Sequence, residues 1–326
     1  MVFAALSAGS VAAGYDGPPP LTPVRALTSW HAAPFLLAGV LLVGGLYLFA
    51  VRRLRRRGDA WSPWRSLSFL AGGLGSFVLA TMSALGTYDT TLFSVHMAQH
   101  MVLTMVTPVT LALGAPVTLA LRTLPAPHRQ TLVKLLHSRV SAVLVNPIVG
   151  FALFVSTPFA LYFTGFYEAT LRSDYLHQMM HVHFVLVGCM FFWPLIGLDP
   201  VPGRLPYLIR LVVVFATLPF HAFLGVSIMG GTNLLAADYY RELARPWGPS
   251  PLEDQNIGGA ILWAAGDIVG VVFLLALVVQ WMLADQREAT REDRRLDRLD
   301  AAAASAAARP PAGMPSSGAG SSGADR

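Results

Sequence analysis

Long apolar stretches separated by short basic loops set the pattern of this chain. Residues 26–51, 140–167, 175–198 and 211–237 contain no Asp, Glu, Lys or Arg; 66–121 contains one, Asp89, and 255–284 one, Asp267. A helix needs about 20 mostly apolar residues to cross the hydrocarbon core of a bilayer, and in lipid every backbone group must find its partner within the segment. The pattern therefore predicts an all-α integral membrane protein. It forms a bundle of about seven transmembrane helices, over 32–51, 66–85, 94–118, 142–163, 178–198, 206–228 and 257–283. The third stretch holds Pro108, Gly114 and Pro116, which predict a kink or an early end.

Composition supports the class and charge orients it. Of 326 residues, 54% are hydrophobic and 13% charged, about half the charge of an ordinary globular chain. The net charge of +5 does not mark a nucleic-acid surface, because the basic residues sit in short loops. Arg52, Arg53, Arg55, Arg56, Arg57 and Arg65 follow the first stretch, Arg122, Arg129, Lys134 and Arg139 the third, and Arg204 and Arg210 separate the fifth from the sixth. Only Arg25, Arg172, Arg241 and Arg245 fall on the other side. The positive-inside rule then puts the N-terminus outside and the C-terminus in the cytoplasm of a multi-pass protein. Three regions follow: an outside, poorly ordered extension over 1–25, the membrane domain over 26–285, and a cytoplasmic charged helix with a disordered tail over 286–326.

The nine histidines cluster by depth. On this topology His31, His96, His100, His177, His181, His183 and His221 fall toward the outer side, and only His128 and His137 in a cytoplasmic loop. A single interfacial histidine is ordinarily a hydrogen-bonded anchor; seven at one level on four helices are poorly explained that way. Two pairs share a spacing, His96-Met-Ala-Gln-His100 and His177-Gln-Met-Met-His181. Residues four apart lie on one helix face, so each pair can turn two imidazoles toward one ion at about 2.0 Å. Met101 and Met180 lie within or beside these pairs. Methionine is common apolar filling, but thioether beside imidazole selects copper over zinc, magnesium or calcium. The predicted metal ligands are His96, His100, His177, His181, His183, His221, Met101 and Met180, and the predicted ion is copper. Asp89, Glu168, Asp174, Glu253 and Asp254 are further candidates for oxygen ligands or for contacts to imidazole N–H groups. Asp267, near mid-membrane, is read as a structural hydrogen-bonding group, with an ion path as the alternative. The lone Cys189 excludes an internal disulfide and a Cys-x-x-Cys site.

These residues exclude a zinc protease and argue against other functions. A zinc protease needs Glu after the first histidine of His-x-x-x-His, where this chain has Met97 and Gln178. Desaturase-like histidine boxes face the cytoplasm, opposite to the predicted side. A secondary transporter predicts an internal repeat and broken helices at midplane, and the chain has no repeat. Haem held by His100 with His181 or His221 stays open.

The chain resembles the CtaG-like assembly factors of caa(3)-type cytochrome c oxidase. The resemblance rests on His96-x-x-x-His100 followed by Pro108 and Gly114-Ala115-Pro116, then His177-x-x-x-His181, Gly230-Gly231, and Asp254-Gln255-x-x-Gly258-Gly259 leading to Trp263. It covers about 26–285. It implies a membrane assembly factor, not an enzyme, that helps deliver copper to a haem-copper oxidase whose subunits share its membrane. A copper transporter or copper-resistance protein is the alternative.

Overall fold

The structure is a computed structural model that describes residues 15–200 and 205–307. The predicted disorder of 1–14 and 308–326 lies outside those residues, as does Arg204. The chain divides into two compact units, Met1–Leu277 and Val278–Arg326. Among the described residues seven main helices follow one another: α1 (Pro34–Arg56), α2 (Pro63–Tyr88), α3 (Phe93–Thr123), α4 (Pro147–Tyr162), α5 (Asp174–Ile196), α6 (Tyr207–Met229) and α7 (Pro251–Ala307). Among the described residues there is no strand. Six of the seven are long and apolar enough to cross a membrane; α4, with 16 residues, is shorter. Leu41, Leu42, Phe215, Phe223 and Leu275 are exposed, an apolar surface that water would not tolerate and lipid does. The protein is a multi-pass membrane protein.

Proline and asparagine explain where the helices differ from the expected stretches. The region 142–163 is not one helix. Asn146 is extended, as a residue before proline prefers to be, and its side chain accepts the Ile148 N–H to start α4 at Pro147. The preceding residues form a separate short helix, Arg139–Leu144. In α3, a π-helical stretch over Val102–Val106 precedes Pro108. Proline has no N–H and its ring crowds the carbonyl four residues back, so the ladder shifts register there. The break comes at Ala115 (φ 47°), after which Pro116–Thr123 forms a new helix. The charged region 286–300 is not a separate helix but the sequence continuation of α7. No Gly or Pro occurs between Gly270 and Pro310 to stop it.

Contacts align the helix ends. The His31 N–H donates to the Met82 carbonyl, joining the segment before α1 to the end of α2. Asp254 near the start of α7 accepts the Phe93 N–H at 2.6 Å and the Ser94 hydroxyl at 2.5 Å, capping α3 from another helix. Gln255 accepts the Leu235 N–H and donates to the Asn233 carbonyl, tying down the loop after α6. The motif Asp254-Gln255 thus fastens the end of the bundle at which α3, α5 and α7 begin.

Candidate metal centre

The starts of α3 and α5 lie side by side. A Cβ on Gly188 of α5 would stand 2.2 Å from the Thr104 carbonyl oxygen and 2.5 Å from Pro108 Cγ. Only glycine permits that approach, the means by which membrane helices pack without a hydrophobic driving force. One helical turn within each helix then stacks the imidazoles. The ring centroids of His96 and His100 are 3.9 Å apart, those of His177 and His181 4.6 Å. Across the contact His96 stands 5.7 Å from His177, and His100 6.3 Å from His181. All four are buried, the most exposed at 7%.

A chain of hydrogen bonds fixes which ring nitrogens carry protons. Asp89 Oδ2, a carboxylate oxygen, accepts from His177 Nε2–H at 3.0 Å and from Gln99 Nε2 at 2.7 Å. The second Gln99 N–H donates to the Ala80 carbonyl, so its oxygen accepts His181 Nε2–H at 3.0 Å. Both α5 imidazoles therefore keep Nδ1 unprotonated. His100 Nδ1 is 2.7 Å from the Tyr162 hydroxyl at the end of α4. His177 Nδ1, His181 Nδ1, His100 Nε2 and both nitrogens of His96 are buried with no hydrogen-bond partner among the described residues. A buried polar atom left unsatisfied costs about 1–3 kcal/mol. One His96 nitrogen carries the ring proton, so up to four of the five can offer a lone pair, a set better matched to a cation than to packing.

The spacing also suits an ion. An imidazole bound at about 2.0 Å holds its centroid about 3 Å from the metal, so two rings on one ion stand about 4–6 Å apart. Three of the four separations, 3.9, 4.6 and 5.7 Å, match that range, and His100–His181, at 6.3 Å, lies just beyond it. Ligand-capable atoms of Asp89, His177 and His181 also lie within 4.8 Å of one another. Because Asp89 Oδ2 already accepts two N–H groups, its geometry is that of a residue that orients imidazoles. Burial alone would raise the Asp89 carboxyl; the His177 hydrogen bond and the charge the nearby imidazoles can carry outweigh it and hold the group below its ordinary value. Tyr167, whose phenol burial pushes well up, is neutral and stands over His96 at 5.1 Å between centroids. Its hydroxyl meets that of Tyr240 at 2.8 Å.

The remaining predicted ligands lie elsewhere. His183 faces a different cleft with Met180, and its Nε2 is 3.4 Å from Thr157 Oγ1. His221 is buried against Phe154, 5.4 Å between centroids, with Nδ1 bonded to the Thr217 carbonyl at 3.3 Å. Met101 is part of the main apolar core, as are Met97, Met105 and Met180. Among the acidic candidates, Asp89 is the one that reaches the imidazoles through hydrogen bonds. Glu168 pairs with Arg172, Glu253 with Ser250, and Asp254 caps α3. Asp267 accepts the Trp263 indole N–H at 2.7 Å within its own helix rather than from a neighbour. Sequence reasoning passed over Gln99 and Tyr162. Gln99 had a signal: at His96 + 3 it shares the face of the histidine pair.

Fold and site together define a helical multi-pass membrane protein with a buried imidazole–carboxylate cluster near one end of its bundle. The chain belongs to the cytochrome c oxidase caa3 assembly factor family, Caa3_CtaG, whose model matches residues 45–284. It is 42% identical over 299 residues to an uncharacterized protein of Mycobacterium leprae, covering 89% of this chain and 45% of that protein. An uncharacterized protein of Mycobacterium bovis is 42% identical over 301 residues, covering 90% and 45%. This chain thus spans less than half the length of these relatives. No solved structure matches it.

Proposed function

We propose that the protein holds copper in the outer part of the bacterial plasma membrane and passes it to a caa3-type cytochrome c oxidase during assembly, without acting as an enzyme. The observation that carries this reading is the set of five unpartnered, buried imidazole nitrogens on His96, His100, His177 and His181. Imidazole suits copper among other borderline metals, and membership of an oxidase assembly family favours copper as the cargo. The four histidines hold the ion, Asp89 and Gln99 set the α5 tautomers, and Tyr162 orients His100. The thioethers of Met101 and Met180, and the imidazoles of His183 and His221, play no part in this set. Seven spans, with α4 as a short one, put the N-terminus outside and the basic loops in the cytoplasm. The oxidase subunits are then partners in the same membrane.

Haem fits the cluster poorly, because His96 at 3.9 Å and Phe184 at 4.3 Å crowd the His100 ring. Copper transport remains as a second reading on one observation, the buried Asp267 Oδ1 without a hydrogen-bond partner. Copper content of the purified wild type, of His96→Ala/His100→Ala and of His177→Ala/His181→Ala tests the site. Wild type should bind copper and each double variant should lose it, non-additively when combined, since ligands of one ion act as a unit. Oxidase made in the variant strains should lack copper. Equal copper in all three proteins would refute the site, and haem in the wild type would replace it.

A further inference from the structure

A cleft of about 260 Å³ opens beside the cluster, with Asp89, His177 and His181 among its lining residues and His31 and Asp174 exposed along it. Among the described residues no Lys or Arg lines it, while two carboxylates and three imidazoles do. A cleft lined by one sign of charge concentrates the opposite ion and speeds its arrival. His31 is held in one tautomer by its neighbours. The Thr87 hydroxyl spends its proton on the Ser83 carbonyl at 3.0 Å, so it accepts from His31 Nδ1–H at 3.2 Å. His31 Nε2 is therefore left as a lone pair. Close packing fixes the ring itself: a Cβ on Gly86 would stand 2.9 Å from His31 Cε1.

We propose that this cleft is the port through which a metal cation reaches the buried histidines, with His31 Nε2 as its first ligand and Asp174 as the charge that draws it in. The inference rests on the cluster binding a metal and adds the route, which the cluster alone does not specify. The ion makes its first bond at His31 and next meets the Asp89, His177 and His181 side. Its destination is the unprotonated Nδ1 atoms of His177 and His181, which are buried and without a hydrogen-bond partner among the described residues.

A residue on the route but outside the final site has a distinctive kinetic signature. It slows loading and release by the same factor and leaves the equilibrium affinity unchanged. The test uses the full chain in detergent and copper(I) supplied from its complex with a chromogenic chelator, with transfer followed by absorbance in both directions. His31→Ala should slow both directions about tenfold or more, Asp174→Asn should slow both by a smaller factor and flatten the salt dependence of loading, and neither should change the final copper content. Thr87→Val, which frees the His31 tautomer, should slow exchange to a lesser extent. His183→Ala, in the other cleft, should leave the rates as in wild type. Unchanged rates in His31→Ala, or slowing in His183→Ala instead, overturn the port while leaving the cluster intact. Loss of copper content in His31→Ala also overturns it, making His31 part of the final site. A wild type that takes up no copper overturns the cluster and the port together. Circular dichroism of each variant separates misfolding from slow exchange, and His31 is exposed, so its side chain contributes little to the core.

Discussion

Asp89→Asn is the sharpest perturbation of the buried cluster, because it changes charge and almost nothing else. In the wild type, Oδ2 accepts N–H groups from Gln99 and His177 at 2.7 and 3.0 Å. An asparagine whose amide oxygen takes the place of Oδ2 still accepts both, so no buried donor is orphaned. What is lost is the charge. Hydrogen bonds to charged groups contribute about 1.5–3 kcal/mol and neutral ones about 0.5–1.5, a weakening of about 1 kcal/mol per bond. Loss of an outer partner to a metal-bound histidine ordinarily costs 10- to 100-fold in metal affinity, or about 1.4–2.8 kcal/mol.

Competition with a chelator of known copper affinity should therefore show Asp89→Asn binding copper about 10- to 100-fold more weakly at full stoichiometry. Asp89→Ala should do worse and also lower the melting temperature, because the Gln99 and His177 donors lose their acceptor at about 1–3 kcal/mol each. Gln99→Leu should resemble Asp89→Ala, since it strips the partner from His181 as well. Unchanged affinity in Asp89→Asn would refute the orienting role. A loss of stoichiometry in the same variant would make Asp89 a direct ligand.

Three further outcomes are expected. Gly188→Val should separate α3 from α5, cost at least the 1–3 kcal/mol of an overpacked contact, and lose copper although no ligand is touched; melting and metal content check it. In a Cys189→Ser background, a cysteine at Ser250 should react with an impermeant thiol reagent on intact cells and one at Ser305 should not; the reverse labelling would invert the topology. Asp267→Asn keeps the size and hydrogen-bonding ability needed for Trp263 and should retain oxidase assembly; a folded but inactive protein would shift the reading toward ion transport.

The sequence made periodic features legible and rotational ones obscure. The two His-x-x-x-His pairs could be read because a four-residue spacing survives any change in helix boundary. Their meeting could be read from equal depth. His183 was grouped with them on depth alone, yet two residues along a helix is a rotation of about 200°, and it faces the opposite cleft from His181. His221 was grouped for the same reason and in fact packs toward Phe154 and Gly266. Asp89 announced itself as the one charge in 66–121. Gln99 showed only its place at His96 + 3 on the histidine face, and nothing in the spacing marked Tyr162, 62 residues from its partner His100. Met101 and Met180 adjoin the histidine pairs in sequence, but both side chains join the apolar core.

The shortness of α4, which weakened its reading as a span, helps build the site. Sixteen residues rise about 24 Å, less than the roughly 30 Å of a hydrocarbon core. The chain therefore turns before reaching the level at which α3 and α5 begin. Its last residue, Tyr162, arrives at His100, one turn inside His96, and places a hydroxyl on Nδ1. The next helix, Phe166–Leu171, supplies Tyr167 to cover His96. A full-length α4 would carry Tyr162 past His100 and leave the upper imidazole without that cover. Two helices that start together, joined by a return helix too short to reach the same level, thus enclose four imidazoles beneath a tyrosine while the cleft beside Asp89 stays open.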